Sequence, residues 1–93
     1  MSGNISVVWS KIYWNSDINN YYIGWNNTEF TFDYINYYGH KFYSGGSERL
    51  RITKNGNVLI GTTTDNGYKL QVKGSERVYG DLIVDGEVSA LVA

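Results

Sequence analysis

The chain has 93 residues, a formal net charge of −1 and no cysteine. This composition excludes disulfides, cysteine-based metal sites and the positive field with which proteins hold nucleic-acid phosphates. No apolar run is long enough to span a bilayer, and the N-terminus lacks the basic and apolar regions of a signal peptide. A monomer of this size buries only about two-thirds of its surface, so partner subunits are the expected source of further stability.

The composition predicts an all-β chain. It includes 9 Tyr, 3 Trp and 11 Gly but no Pro. Aromatic and β-branched residues suit pleated, half-buried strands, whereas the strong helix formers Ala and Met are scarce. No window carries the apolar stripe of an amphipathic helix.

The first half of the chain contains four strand-like runs separated by Asn-rich turns. Phe30, Phe32 and Tyr34 alternate with polar residues, which is the period of a half-buried strand. The predicted runs cover residues 5–10 with a possible extension to 14, then 21–26, 29–34 and 37–43. Turns every eight to twelve residues are typical of meandering antiparallel strands.

The second half repeats a shorter pattern of aliphatic strands and glycine turns. Predicted strands cover residues 48–52, 58–60, 69–73, 82–84 and 88–92. Asn55-Gly56 indicates a hairpin with a type I′ turn. Gly56, Gly67 and Gly86 are all predicted to be turn positions with positive φ. Thirteen of the fifteen aromatic residues lie in residues 1–47, so we predict an aromatic β-module there and a slender β-stem at 48–93.

Few residues suggest catalysis. Glu29 and Asp33 lie four apart on a predicted strand, about 13 Å along it, which is too far for a glycosidase carboxylate pair within one chain. His40 is interpreted as a surface or interface residue. We therefore predict no enzymatic activity, no metal site and no cofactor.

The aromatic residues of the first half have two interpretations. They can fill a subunit interface, where Tyr and Trp act as rigid anchors with a polar tip, and this is the favoured interpretation. Alternatively, some of them stack on sugar rings of a host polysaccharide. The candidates for sugar stacking are Trp9, Trp14, Tyr22, Trp25 and Tyr38.

Residues 46–74 read GSERLRITKNGNVLIGTTTDNGYKLQVKG. This stretch resembles a segment of phage tail fibres and prophage-encoded proteins with the pattern SERMRI, GNVGIGT and YKLDVNG. Residues 80–90 are similar to the segment that follows it in that family. Leu59 departs from the pattern, because the family usually has Gly there.

The resemblance implies an elongated, intertwined homotrimer of short antiparallel strands and hairpins. It also implies a location in the virion or in a prophage-encoded extracellular particle. In many members an intramolecular chaperone domain comes next, and Ala93 stands where such a domain would begin. The predicted function is a structural and adhesive segment of a host-recognition fibre. The alternative is a carbohydrate-binding module, and a glycan depolymerase fragment is a third possibility.

Overall fold

The computed structural model describes residues 11–13 and 19–90, and in these residues the chain is all-β, as predicted, with two sheets and no helix. The N-terminal sheet has the order β1-β2-β3, with β1 at Lys11–Tyr13, β2 at Tyr21–Asn26 and β3 at Thr31–Asn36. The C-terminal sheet has the order β4-β5-β6-β7, with β4 at Gly39–Ser44, β5 at Ser47–Thr53, β6 at Val58–Ile60 and β7 at Leu70–Val72.

The N-terminal sheet is an antiparallel meander, and its tight connection is the turn between β2 and β3. The Asn26 side-chain oxygen accepts hydrogen bonds from the backbone N–H groups of Thr28 (2.9 Å) and Glu29 (3.0 Å). Asn favours such turns because its side chain can replace a backbone acceptor. Phe30 therefore belongs to the turn, and β3 begins at Thr31 rather than at the predicted residue 29. The predicted strand at 5–10 lies outside the described residues.

Glycines shape the two hairpins of the C-terminal sheet. Gly45 and Gly46 join β4 to β5 with φ of 61° and 77°, the conformation of a type I′ turn. Gly56 has a φ of 85° in the turn between β5 and β6, as predicted. Asn55 has no positive φ, so the predicted type I′ turn is wrong there. The four-residue connection, residues 54–57, instead contains one left-handed glycine, and it is closed by hydrogen bonds from the Thr53 N–H to the Asn57 carbonyl and from the Gly56 N–H to the Thr53 carbonyl.

The pairing of β7 departs from the predicted antiparallel hairpins. β7 runs parallel to β6, with Leu70 opposite Val58 and Val72 opposite Ile60. A parallel pair needs a crossover connection, and residues 61–69 supply it. The predicted turn glycine Gly67 has a φ of 91° within this crossover.

The crossover is held by side chains. Gln71 accepts a hydrogen bond from the backbone N–H of Asn66 (2.7 Å) and donates one to the carbonyl of Thr64 (3.2 Å). Asn57 donates to the carboxylate of Asp65 at 3.1 and 3.2 Å. The crossover thereby lies against the side of the sheet to which Gln71 points.

Leu59 is the fully buried side chain of the described residues, with 0% exposure. It lies between Arg51 of β5 and Gln71 of β7, on the side of the sheet that the crossover covers. At this position Leu fills the space beneath the crossover, which a Gly would leave empty.

Residues 73–90 contain no strand, so the predicted strand at 82–84 and the described part of the one at 88–92 are wrong within this chain. Gly86 has no positive φ, and the predicted hairpin turn there is absent. The predicted hairpin required two paired strands on either side of Gly86, and residues 82–84 and 88–90 form no ladder. Residues 91–93 lie outside the part of the chain that the structure describes.

The fold is extended and exposes much surface. The radius of gyration is 18.1 Å, against about 12 Å for a compact domain of this length. The accessible surface is 8599 Å², against about 5,500 Å² for a compact monomer.

The two sheets are separated in the chain by Tyr37 and Tyr38. The predicted module boundary, after residue 47, falls at the start of β5, which pairs with β4.

Candidate functional site

One side of the C-terminal sheet is apolar and uncovered. The ladder places Phe42 opposite Leu50, and Leu50 opposite Ile60. Phe42 is 52% exposed and Leu70 is 57% exposed. The residues that share this side are His40, Phe42, Leu50, Ile52, Val58, Ile60, Leu70 and Val72. None of them is an acid, a lysine or an arginine.

The N-terminal sheet also has an apolar side. The register aligns Ile12, Ile23 and Tyr34 across its three strands. Phe32 is 56% exposed and Tyr34 is 63% exposed. The residues on this side are Ile12, Tyr21, Ile23, Trp25, Phe32, Tyr34 and Asn36.

The two apolar sides adjoin each other. A hollow of about 430 Å³ is lined by Tyr34 from the N-terminal sheet and by His40, Phe42 and Ile52 from the C-terminal sheet. We call the two sides together the apolar surface. It is a surface rather than a core, because most of its large side chains are exposed.

The opposite side of the C-terminal sheet is polar, and a β-bulge is responsible. Glu48 and Arg51 are three residues apart and would point to opposite sides of a regular strand. The register shifts between Phe42 and Tyr43, so that Phe42 faces Leu50 while Tyr43 faces Glu48. The bulge therefore brings Glu48 to the side of Arg51.

Glu48 and Arg51 form a two-point ion pair. Arg51 Nε donates to Glu48 at 2.9 Å, and Nη2 donates at 2.7 Å. These hydrogen bonds, more than the charge of Arg51, lower the pKa of Glu48 below its ordinary value and raise the pKa of Arg51. The pair stays ionised near neutral pH and lies on the same side of the sheet as Leu59 and Gln71.

The carboxylates considered for catalysis have structural roles in the β2–β3 hairpin. Asp33 accepts hydrogen bonds from the hydroxyl of Thr31 (2.6 Å) and the amide of Asn26 (2.9 Å). These bonds, followed by the charge of Lys11, lower the pKa of Asp33. Glu29 lies exposed in the turn. In residues 11–13 and 19–90 no three acidic, His or Cys side chains are grouped to hold a metal ion.

The predicted sugar-stacking residues lie in separate places. Trp9 and Trp14 are outside the described residues. Tyr22 and Trp25 are three apart on β2 and point to opposite sides. The Tyr22 ring contacts Tyr13 at 5.7 Å between centroids and carries the Lys11 ammonium 4.4 Å above it. Tyr22 is thus engaged within the sheet.

Trp25 belongs to a small aromatic cluster at the tip of the β2–β3 hairpin. Its indole N–H donates to Asn27 at 2.6 Å, and its ring lies 6.4 Å from that of Phe30. Phe30 is 75% exposed. Sequence reasoning missed Phe30, because its alternation with Phe32 and Tyr34 indicated a strand. The Asn26-Asn27 pair just before it was the signal for the turn.

Tyr38 lies between the two sheets. Its ring stacks on Tyr21 at 6.4 Å and meets Tyr37 edge-on at 5.1 Å. The Lys54 ammonium lies 4.9 Å from the Tyr37 centroid and 5.1 Å from that of Tyr38. Tyr38 remains 65% exposed, which leaves area for an external contact. Lys54 was not singled out from the sequence, because the turn residues around it gave no sign of its ring partners.

The comparisons with known proteins found no match among family models, curated proteins or solved structures. The stretch of chain described by the structure also holds no helix of the length and apolarity required to cross a membrane. The resemblance of residues 46–74 to phage tail-fibre segments therefore stays a prediction.

Proposed function

We propose that this chain is a structural and adhesive segment of a trimeric, fibre-like host-recognition protein of the phage tail-fibre kind. The observation that supports it is the apolar surface, which runs along both sheets and contains no acidic residue, lysine or arginine. A second copy can cover such a surface without removing charges from water, which is the costly step in many interfaces. The number of chains and the fibre role rest on the resemblance of residues 46–74.

The available area suits an assembly. A stable interface buries about 800 Å² on each partner, and each chain of a trimer has two neighbours. The chain exposes 8599 Å², which exceeds the surface of a compact monomer of its size by about 3,100 Å². The excess is large enough to supply two interfaces.

The test of this proposal is the solution mass of the chain by light scattering across a dilution series. We expect a stable mass of three chains of 10.6 kDa. A well-folded monomer at all concentrations would contradict the proposal and favour an independent binding module. Assay of a host polysaccharide for released reducing ends is the accompanying control, since a fibre segment releases none and a depolymerase does.

The second candidate function is recognition of surface glycans, favoured by the exposed rings of Tyr38 and Phe30. Sugar rings stack on exposed aromatic faces, and nearby Asn and Tyr groups can donate and accept hydrogen bonds. We expect host polysaccharide to protect the tryptophans from acrylamide quenching if this function holds. Tyr38→Ala should weaken the binding, whereas Tyr43→Ala, which removes a ring of similar exposure elsewhere, should not. Equal binding by both variants would exclude Tyr38 from the contact.

A further inference from the structure

The C-terminal segment, residues 74–90, has the sequence of strands but forms no ladder with any other part of the chain that the structure describes. Within residues 11–13 and 19–90, it makes no backbone–backbone hydrogen bond, and the last such bond before it is from Lys73 to the carbonyl of Ile60. Its aliphatic side chains are uncovered, with Leu82 73% and Ile83 83% exposed. Such a segment can join a β-ladder, because its backbone N–H and C=O groups require hydrogen-bond partners and its aliphatic side chains suit a strand.

The segment carries the same apolar pair as the strands before it. Each of β5, β6 and β7 places two aliphatic residues, separated by one position, on the apolar surface. The three pairs are Leu50 with Ile52, Val58 with Ile60, and Leu70 with Val72. Leu82 and Val84 form a fourth pair with the same spacing. A strand at 81–85 placed beside β7 would therefore continue the apolar surface by one strand.

The edge beside β7 is open and complementary in charge. Among residues 11–13 and 19–90, β7 is the outermost strand of its sheet and pairs with β6 alone. Lys69 and Lys73 flank it on the two sides. The C-terminal segment contains four acidic residues and one basic residue, so its charge is opposite to that of the edge. An unpaired strand edge accepts an added strand through main-chain hydrogen bonds.

We propose that residues 81–85 of one copy add as a strand to the free edge of β7 in a second copy. This inference rests on the proposed function, since it requires an assembly, and it names the segment and the edge that join the copies. Leu82 and Val84 lie on the apolar surface of the neighbouring chain, and Ile83 points to the opposite side. In this arrangement the main-chain N–H and C=O groups of residues 81–85 form hydrogen bonds with β7 of the neighbouring chain.

Directed disulfide formation tests the pairing, because the chain has no cysteine of its own. Leu70→Cys chains carrying a mass tag are mixed with Leu82→Cys or Val84→Cys chains, refolded together and oxidised. We expect a disulfide between tagged and untagged chains in at least one of these mixtures. The Ile83→Cys mixture is the matched control, and its yield should be several-fold lower because its side chain points away from Leu70. A yield no greater than that of the Ile83 control overturns the proposal.

Two further measurements complete the test, and the second of them uses no cysteine variant. In a chain that carries Leu70→Cys and Val84→Cys together, bridging within single chains at high dilution would overturn the pairing between copies. In the unmodified protein, the amides of Leu82 to Val84 should exchange with solvent at least tenfold more slowly in the assembly than in an unfolded chain. Exchange at the unfolded rate in the assembly overturns the proposal.

The failure of this inference is distinguishable from failure of the proposed function. A mass of three chains without protection or bridging at residues 81–85 leaves the fibre proposal standing and removes only the strand addition. A monomeric mass for the unmodified chain removes both.

Discussion

Phe30 is the one residue other than glycine with a positive φ among the described residues, at 59°. Left-handed backbone costs a residue with a side chain roughly 1–2 kcal/mol. Glycine or Asn would occupy this turn position at lower cost. The ring of Phe30 contacts Trp25 and is 75% exposed. The strained backbone of Phe30 therefore accompanies an exposed aromatic pair at the hairpin tip.

Two substitutions of Phe30 separate the backbone strain from the ring contact. Phe30→Gly and Phe30→Val both remove the contact with Trp25, but only the β-branched Val keeps a strained backbone. We expect Phe30→Gly to be more stable than Phe30→Val by about 1–2 kcal/mol in urea unfolding. Equal stabilities would mean that the turn relaxes and that Phe30 is not held in the left-handed region.

The Glu48–Arg51 pair gives the fold a dependence on acid. Because hydrogen bonds from Arg51 lower the pKa of Glu48 below its ordinary value of 4.5, the pair contributes stability above that value. The contribution is lost as the pH falls through the lower pKa of the folded state. We expect Glu48→Gln to be less stable than the unmodified chain at pH 7, with the difference shrinking below pH 4.5. Thermal melts across this range check it, and a difference that does not change with pH would contradict it.

The strands that sequence reasoning predicted well are those with local signals. β2, β5 and the glycine turns at Gly56 and Gly67 follow from alternation and from residues that tolerate positive φ. The parallel pairing of β7 could not be predicted, because the hydrogen bonds between Gln71 and the crossover leave no periodic pattern in the sequence. The absent strand at 82–84 could not be predicted either, since alternation describes what a segment can pair with and not whether its partner lies in the same chain.

Leu59 decides whether the crossover stays on the sheet. Leu59→Ala leaves a cavity under residues 61–69, and we expect a loss of about 2–5 kcal/mol in the free energy of unfolding. Leu59→Met conserves the volume and should cost less than about 1.5 kcal/mol. Urea unfolding of both variants measures the difference. A small loss in Leu59→Ala would mean that the crossover settles into the space.

At the scale of the whole molecule, the apolar surface extends over one side of both sheets, and the opposite side of the C-terminal sheet is polar. The density of aromatics in residues 1–47 could be predicted from the sequence, but the side on which each ring lies could not. The bulge opposite Phe42 and Tyr43 and the turn at Phe30 both change the phase of the alternation. Two of the five predicted sugar-stacking residues, Tyr22 and Trp25, point to opposite sides of β2.

Phe42 and Tyr43 provide a matched test of the apolar surface. They are adjacent, they are 52% and 62% exposed, and they point to opposite sides of β4. We expect the Phe42→Asp assembly to dissociate on dilution at a protein concentration at least tenfold higher than the unmodified assembly does, because a carboxylate would be buried between copies. Tyr43→Asp should assemble normally.

Light scattering of the Phe42→Asp and Tyr43→Asp variants at equal concentrations gives the comparison. Assembly unchanged in Phe42→Asp, or lost equally in both, would mean that the copies do not meet through the apolar surface. Circular dichroism of each variant confirms that the sheets are retained before the masses are compared.

The parallel pairing of β6 and β7 also fixes an order of events during folding. The hairpins of the C-terminal sheet close over two and four residues. β7 can join this sheet only after residues 61–69 have closed a longer loop, which is slower and less favourable in entropy. β7 is therefore expected to be the last strand in place. The edge to which we propose a neighbour attaches does not exist until the rest of the sheet has formed. Strand addition between two chains would therefore follow completion of the C-terminal sheet in the chain that accepts the strand.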